Sequence, residues 1–192
     1  MDFRLTAIVW ALALTLLQLQ LCLGFQVSMK YQDNALRVTN DFRAKHNVPA
    51  LRMDESLNDI AFRCANYYTH KGNIDYSCPY LNRTTGENLF SVKGWFSLED
   101  VARMATHSWM EEEKNYNFHK PSSSGATNEF TQMIWKDSKK FGFGVAQRNG
   151  YTTAVSTFSP AGNQLGRFTK NVFSQFTGST GFNCQNMQQT HK

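Results

Sequence analysis

Cysteine and proline are both scarce, at four of each among 192 residues. So few cysteines cannot staple a small scaffold together, and the fold must rest on apolar packing. There is no arginine-rich arm and no helix studded with bases, which argues against nucleic acid as a partner. No Gly-x-Ser-x-Gly elbow surrounds any serine, including Ser122, Ser123 and Ser124, so nucleophilic catalysis lacks its usual signature. Internal repeats, low-complexity segments and a second domain are also missing. Beyond residues 5–23, no stretch is long and apolar enough to span a bilayer.

That one apolar run reads as a signal peptide. Met1-Asp2-Phe3-Arg4 is a short polar start, and Leu5 to Leu23 is almost wholly apolar. Cys22 and Gly24 place small residues at −3 and −1 of a cut before Phe25. A retained anchor is the alternative reading, and Gln18, Gln20 and the small-residue site favour cleavage. The expected division is a signal peptide at 1–24, one domain at 25–176 and a polar tail at 177–192. The mature 168 residues suffice for one domain with a proper core. They keep the net charge of +5, and the bases are scattered, densest at Lys136, Lys139, Lys140 and Arg148. Such a surface serves solubility, or favours anionic lipid or a polyanion. The protein is expected to be secreted. Cys64, Cys78 and Cys184 remain after processing. Cys64 and Cys78 are assigned to a bridge, which over so short a loop contributes on the order of 3 kcal/mol. Cys184 is left free or intermolecular, so both monomer and dimer are open. Asn82-Arg83-Thr84 is the glycosylation sequon and predicts an exposed loop.

Residues 33–46 read as a helix stopped by Asn47-Val48-Pro49. Leu57, Ile60, Ala61, Cys64, Ala65 and Tyr68 form a helical stripe over 55–70, capped by Asp54 and closed by Gly72. Glu87 to Val92 is extended. Ser97 opens a third helix that buries Leu98, Val101, Ala102, Ala105 and Trp109. Asn128 caps a shorter one reaching about Ser138. The period then changes to that of strands, over 141–148 and 151–158, joined by Asn149-Gly150, a strong hairpin signal. Helices followed by a hairpin indicate an α+β fold with an antiparallel sheet.

Five ordered segments carry a more specific message. They are residues 40–51, Trp109 through Phe118, Gly86-Glu87-Asn88-Leu89, residues 128–135 and Ser159-Pro160-Ala161-Gly162-Asn163. Together they resemble the signature stretches of the CAP superfamily, which includes cysteine-rich secretory, antigen five and pathogenesis-related proteins. The pattern is similar to the single-domain Golgi-associated pathogenesis-related type, with a signal peptide added. The resemblance implies a three-layer α-β-α sandwich around a central antiparallel sheet. The tail lacks the cysteine-dense extension of some members, which removes support for channel blocking.

Many members have a cleft where two histidines and two glutamates converge, and some bind zinc there. By motif, the glutamates are Glu87 and Glu112, while the histidine positions hold Tyr76 and Glu129. Zinc prefers nitrogen and sulfur donors, so no zinc is expected. Three carboxylates suit Ca²⁺ or Mg²⁺ better, or one of them takes up a proton with its neighbours raising its pKa. His46 and His70 end helices, where a cation complements the dipole. With His107, His119 and His191 they read as structural or solvated. Loss of both imidazoles argues against catalysis, and no catalytic residue is assigned; a hydrolase using Glu87 and Glu112 as acid and base is the enzyme alternative. Some members carry sterols or lipids on a loop after the Gly-Glu-Asn strand. Here Phe90, Trp95 and Phe96 in the loop 90–96 either line such a site or join the core. The expected function is a secreted, non-enzymatic binding protein acting on an extracellular protein partner, with lipid carriage and a cation site as alternatives. Peripheral membrane contact is compatible with either ligand.

Overall fold

The computed structural model describes residues 10, 13–14 and 31–175. The signal reading, apart from those three isolated positions, and the tail with Cys184 and His191 lie outside the described residues.

Helix α1 occupies residues 31–45, and Asn47 takes a left-handed φ of 53° before Pro49. Strand β1 is only Arg52–Met53. Helix α2, Glu55–Lys71, starts where the Asp54 carboxylate accepts the Ser56 and Leu57 amides, and it ends at Gly72. Strand β2 is Gly86–Lys93, and helix α3 is Leu98–Glu111, begun by a Ser97 hydroxyl that accepts the Asp100 amide. A 3₁₀ turn, Glu112–Asn115, and a short helix α4, Asn128–Met133, follow. Strands β3, Lys140–Arg148, and β4, Tyr151–Ser159, form the hairpin, and α5 is Phe168–Asn171. Asn149 and Gly150, at φ 51° and 70°, both adopt the left-handed backbone that a two-residue turn of this kind requires.

The sheet runs β1-β3-β4-β2 and is antiparallel except at β1, which lies parallel to β3. The three long strands form the antiparallel sheet expected, and β1, too short for its pattern to be legible in sequence, adds a parallel edge. Strand alternation sends side chains to two faces. Phe141, Phe143, Val145, Ala154 and Phe158 meet α1, α3 and α4 in the larger core. Ala146, Val155 and Leu89 meet Ala61, Cys64, Ala65 and Tyr68 of α2 in the smaller. The molecule is thus an α+β fold of three layers, helix, sheet and helix. On the α2 face, Gly142 and Gly144 let helix backbone lie directly on the sheet. A β-carbon at Gly144 would stand 2.2 Å from the Phe62 nitrogen, and one at Gly142 2.2 Å from the Leu57 carbonyl carbon.

Helix α4 stops at Met133 rather than near Ser138, and it follows Thr127, not Asn128, as its first boundary. The cause is competition for its last groups. Arg43 Nη1 donates to the carbonyls of Met133 and Trp135 at 2.7 and 3.0 Å. The Asp137 amide donates to Asn171 Oδ1 at 2.9 Å instead of to the helix.

Candidate functional site

Three of the five signature segments, on β2, on α4 and at residues 159–163, form one interlocked unit. Asn88 on β2 donates to the Glu129 carbonyl at 2.8 Å. Gln132 Oε1 accepts the Gly162 amide at 2.8 Å, and the Thr131 hydroxyl donates to Asn163 Oδ1 at 2.6 Å. Strand β2, α4 and the 160–163 turn therefore hold one another in register, and the cleft residues ride on them.

Glu112 and Glu129 meet at the start of α4. Thr127 supplies no side-chain cap there. Glu112 Oε2 does so from the 3₁₀ turn, accepting the Glu129 and Phe130 amides at 3.1 Å each. Donors of this kind are otherwise orphaned at a helix start, and a carboxylate suits the positive end of the dipole. Burial nonetheless pushes the Glu112 pKa upward, against the Phe130 amide, and the charge of Glu129 adds to the rise.

Glu129 is buried, and its Oε1 accepts a short hydrogen bond from the Tyr76 hydroxyl. Tyr76 sits in the loop 72–85 with a left-handed φ of 58°, uncommon for a bulky residue. The loop is pinned by the Cys64–Cys78 disulfide, with Cα atoms 5.4 Å apart. It is pinned again by the Cys78 amide, which donates to the Tyr68 hydroxyl at 3.0 Å. Tyr76 as a whole is 58% exposed, while its hydroxyl is turned to Glu129 in the cleft. Its pKa is raised by burial of that end first, then by Glu129, with Glu87 and Glu112 adding to the field. The other three family positions, Glu87, Glu112 and Glu129, thus all bear on the Tyr76 phenol.

Glu87 faces α2. Tyr68, fully buried, donates to its two oxygens at 3.1 and 3.3 Å. Burial lifts the Glu87 pKa to about 7, the Tyr68 bond opposing and the charge of Asp75 assisting. Tyr68 itself is shifted upward, by burial and then by Glu87. The apolar stripe on α2 pointed to Tyr68 as core, and only its terminal hydroxyl marks the second role.

A stability profile follows from the raised carboxylates. Below about pH 4.5 Glu87 is protonated whether folded or unfolded; between there and about 7 the folded chain keeps a proton that the unfolded chain gives up. Stability is then highest at the acid end and falls as pH rises through 7. Asp54, lowered to about 2 mainly by Lys140, works in the opposite sense but only below this window. The melting temperature is expected to be about 5 °C higher at pH 5 than at pH 8, and Glu87→Gln should flatten much of that slope. Calorimetry at constant ionic strength checks it.

The donor set does not fit zinc. Neither imidazole is present, Glu112 is engaged by backbone amides, and Glu129 is engaged by Tyr76. Nor does the site gather carboxylates for a hard cation: among the described residues no three His, Cys, Asp or Glu side chains stand together as a metal site. Three histidines are engaged elsewhere. His46 is buried, with Nδ1 2.7 Å from the Phe173 carbonyl, and His107 packs edge-on to Phe42. His70 Nδ1 lies 2.8 Å from the Asn66 carbonyl in the last turn of α2.

The segment expected as a loop over 90–96 divides in two. Phe90 to Lys93 is strand, paired with β4 from Ala154 to Tyr151, and Phe90 packs on the larger core. Only Gly94, Trp95 and Phe96 form a loop, held by the Gly94 amide to the Gly150 carbonyl at 2.7 Å. Trp95 is 65% exposed beside the hairpin turn, so it is not core. Asn82 is exposed, as the sequon predicts, with Oδ1 accepting the Thr84 amide at 2.9 Å.

Sequence comparison agrees with this architecture. Residues 36–158 match the family described as CAP, the cysteine-rich secretory protein family. The chain is 32% identical over 153 residues to Golgi-associated plant pathogenesis-related protein 1 of Homo sapiens, covering 78% of this chain and 97% of that protein. It is 30% identical over 142 residues to pathogenesis-related protein 1 of Arabidopsis thaliana, covering 71% and 83%. It is 30% identical over 141 residues to secreted protein RBT4 of Candida albicans, covering 71% and 37%. Among solved structures, NaASP2 with Zn²⁺ aligns at a TM-score of 0.61 and 18% identity, over 74% of this chain and 84% of that one. BmVAL-1 aligns at 0.60 and 20%, over 76% and 83%. With its signature segments interlocked around α4 and its sequence matched from residue 36 to 158, this chain belongs to the CAP superfamily.

Proposed function

We propose that this is a secreted, non-enzymatic binding protein whose recognition site is the rim of the metal-free cleft, centred on Tyr76, and whose ligand is an extracellular protein. The observation that carries this reading is the state of Tyr76: a bulky residue in a left-handed backbone conformation, fixed by Glu129 and a disulfide-tethered loop, and more than half exposed. Backbone strain of this kind costs about 1–3 kcal/mol and clusters at functional sites. A rigid exposed aromatic is also the residue type that dominates protein interfaces. The signal-like start, the disulfide and a relative named as a secreted protein support an extracellular setting. The zinc in NaASP2 has no donor set here to receive it, which removes support for a metal-dependent hydrolase.

The test is capture of cell-surface and secreted ectodomains on an array by the mature protein, repeated with Tyr76→Ala. Loss of the captured partner with Tyr76→Ala is expected; undiminished capture would overturn the reading. Exposure of Trp95 favours a second reading, lipid or sterol carriage at the Gly94–Phe96 loop. A sterol-uptake assay separates the two, since Trp95→Ala abolishes uptake only under the second.

A further inference from the structure

We propose that the outer flank of α2 carries a second binding site, distinct from the cleft, for a sulfated polysaccharide chain. The flank is a groove of about 620 Å³ lined by Arg63, Asn66, Tyr67, His70, Lys71 and Tyr80. Its volume lies within the roughly 300–1,000 Å³ of ordinary ligand sites. Five of the six stand at positions 63, 66, 67, 70 and 71, the spacing of one helical face, opposite the buried stripe of Ala61, Cys64, Ala65 and Tyr68. Tyr80 closes the groove from the disulfide-tethered loop.

The cations of this groove are arranged for an anionic ligand. Arg63 lies over the Tyr80 ring at 3.9 Å, and Lys71 is 5.7 Å from the Tyr67 ring centroid. A guanidinium stacked on an aromatic face keeps its N–H edge pointing sideways, free to donate. Arg63 does meet Asp59 at 3.8 Å, and Lys71 meets Asp75 and Ser77, but these are exposed surface contacts. Arg148 has no acid partner among the described residues. Its Nη1 donates instead to His70 Nε2. That bond is consistent with the other ring nitrogen, which must carry the proton to donate to the Asn66 carbonyl. Arg148 is thus tethered beside the groove through His70, with no other side-chain hydrogen bond among the described residues.

The shape distinguishes the ligand. A membrane surface calls for a protruding apolar tip, and this face is a shallow groove that mixes cationic side chains with phenol rings. An extended peptide would draw on main-chain pairing, and the backbone of α2 is satisfied internally except at its ends. What the groove offers is side-chain N–H groups and two phenol rings, which suits sulfate groups on sugar rings.

The test is calorimetric titration of the full mature chain with a heparin octasaccharide, and with the same sugar chemically desulfated. Wild type is expected to bind the sulfated chain with affinity that falls as salt rises, and not the desulfated one. Arg63→Ala and Arg148→Ala, both at exposed positions, should each weaken binding about fivefold or more, whereas Lys170→Ala, which removes a charge outside the groove, should change it by less than about twofold. The proposal is overturned by any of three results. One is no binding. Another is equal losses in all three variants, which means attraction by net charge alone. The third is binding to vesicles of anionic phospholipid that depends on Arg148 while the octasaccharide does not bind. Because none of these variants touches Tyr76, failure here leaves the cleft reading standing.

Discussion

Replacing Arg43 with methionine is expected to destabilise the protein by on the order of 4 kcal/mol, the largest single effect outside the disulfide. Arg43 is fully buried, and among the described residues no carboxylate pairs with it. Its guanidinium donates to the carbonyls of Pro49 at 2.8 Å, Met133 at 2.7 Å, Trp135 at 3.0 Å and, more weakly, Ser138 at 3.4 Å. The cost of burying the charge appears as a pKa lowered to about 10 by desolvation. Methionine fills similar space and removes that cost, yet it strands carbonyls in a region closed to water, at about 1–3 kcal/mol each. The losses outweigh the relief. Melting temperature should fall by about 10 °C. Arg43→Lys should lose roughly half as much, since one ammonium cannot serve the fork-shaped set. Urea denaturation checks both, and a change under about 1 kcal/mol for Arg43→Met would mean that solvent reaches these carbonyls.

The second large effect is a gain of function. In the cleft the Tyr76 phenol bridges a gap that shorter histidines would leave open for a metal. An imidazole falls short of a phenol by about one Zn–N bond, roughly 2 Å. The double substitution Tyr76→His and Glu129→His supplies the two nitrogen donors that zinc prefers, beside Glu87 and Glu112. The variant is therefore expected to bind one zinc ion per chain and to melt higher when zinc is added. Wild type should show neither response. The Glu129→His change alone leaves the phenol in place, and it should bind zinc weakly or not at all. Zinc titration followed by calorimetry reads all three proteins in one series.

The larger part of the fold was legible in the sequence because its signals are local. Asp54 and Gly72 bound α2 as their side chain and backbone freedom dictate, and Asn149-Gly150 forms the hairpin turn. Where elements depend on distant partners, local pattern misled. Helix α4 is cut short by Arg43, 90 residues away from Met133 in sequence. Strand β1 exists only because β3 lies beside it. Phe90 to Val92 reads as extended from its residues and as loop from the family resemblance, and the pairing with β4 decides for strand. The cleft shows the same division. Motif spacing identifies Tyr76, Glu87, Glu112 and Glu129 as positions, but it is silent on their bonding. That Glu112 caps α4, that Tyr68 holds Glu87 and that Tyr76 is clamped to Glu129 are tertiary facts. Arg148 on His70 likewise joins residues 78 apart in sequence.

Elemental mass spectrometry of the purified mature protein tests most directly the proposal that a tyrosine–carboxylate bond stands in this cleft in place of a metal. Protein dialysed against zinc, calcium and magnesium and then washed free of unbound ions should carry none of them in stoichiometric amount. One zinc per chain in the wild type would contradict the proposal, showing that Tyr76 and Glu129 release each other to bind metal and returning the hydrolase reading to consideration.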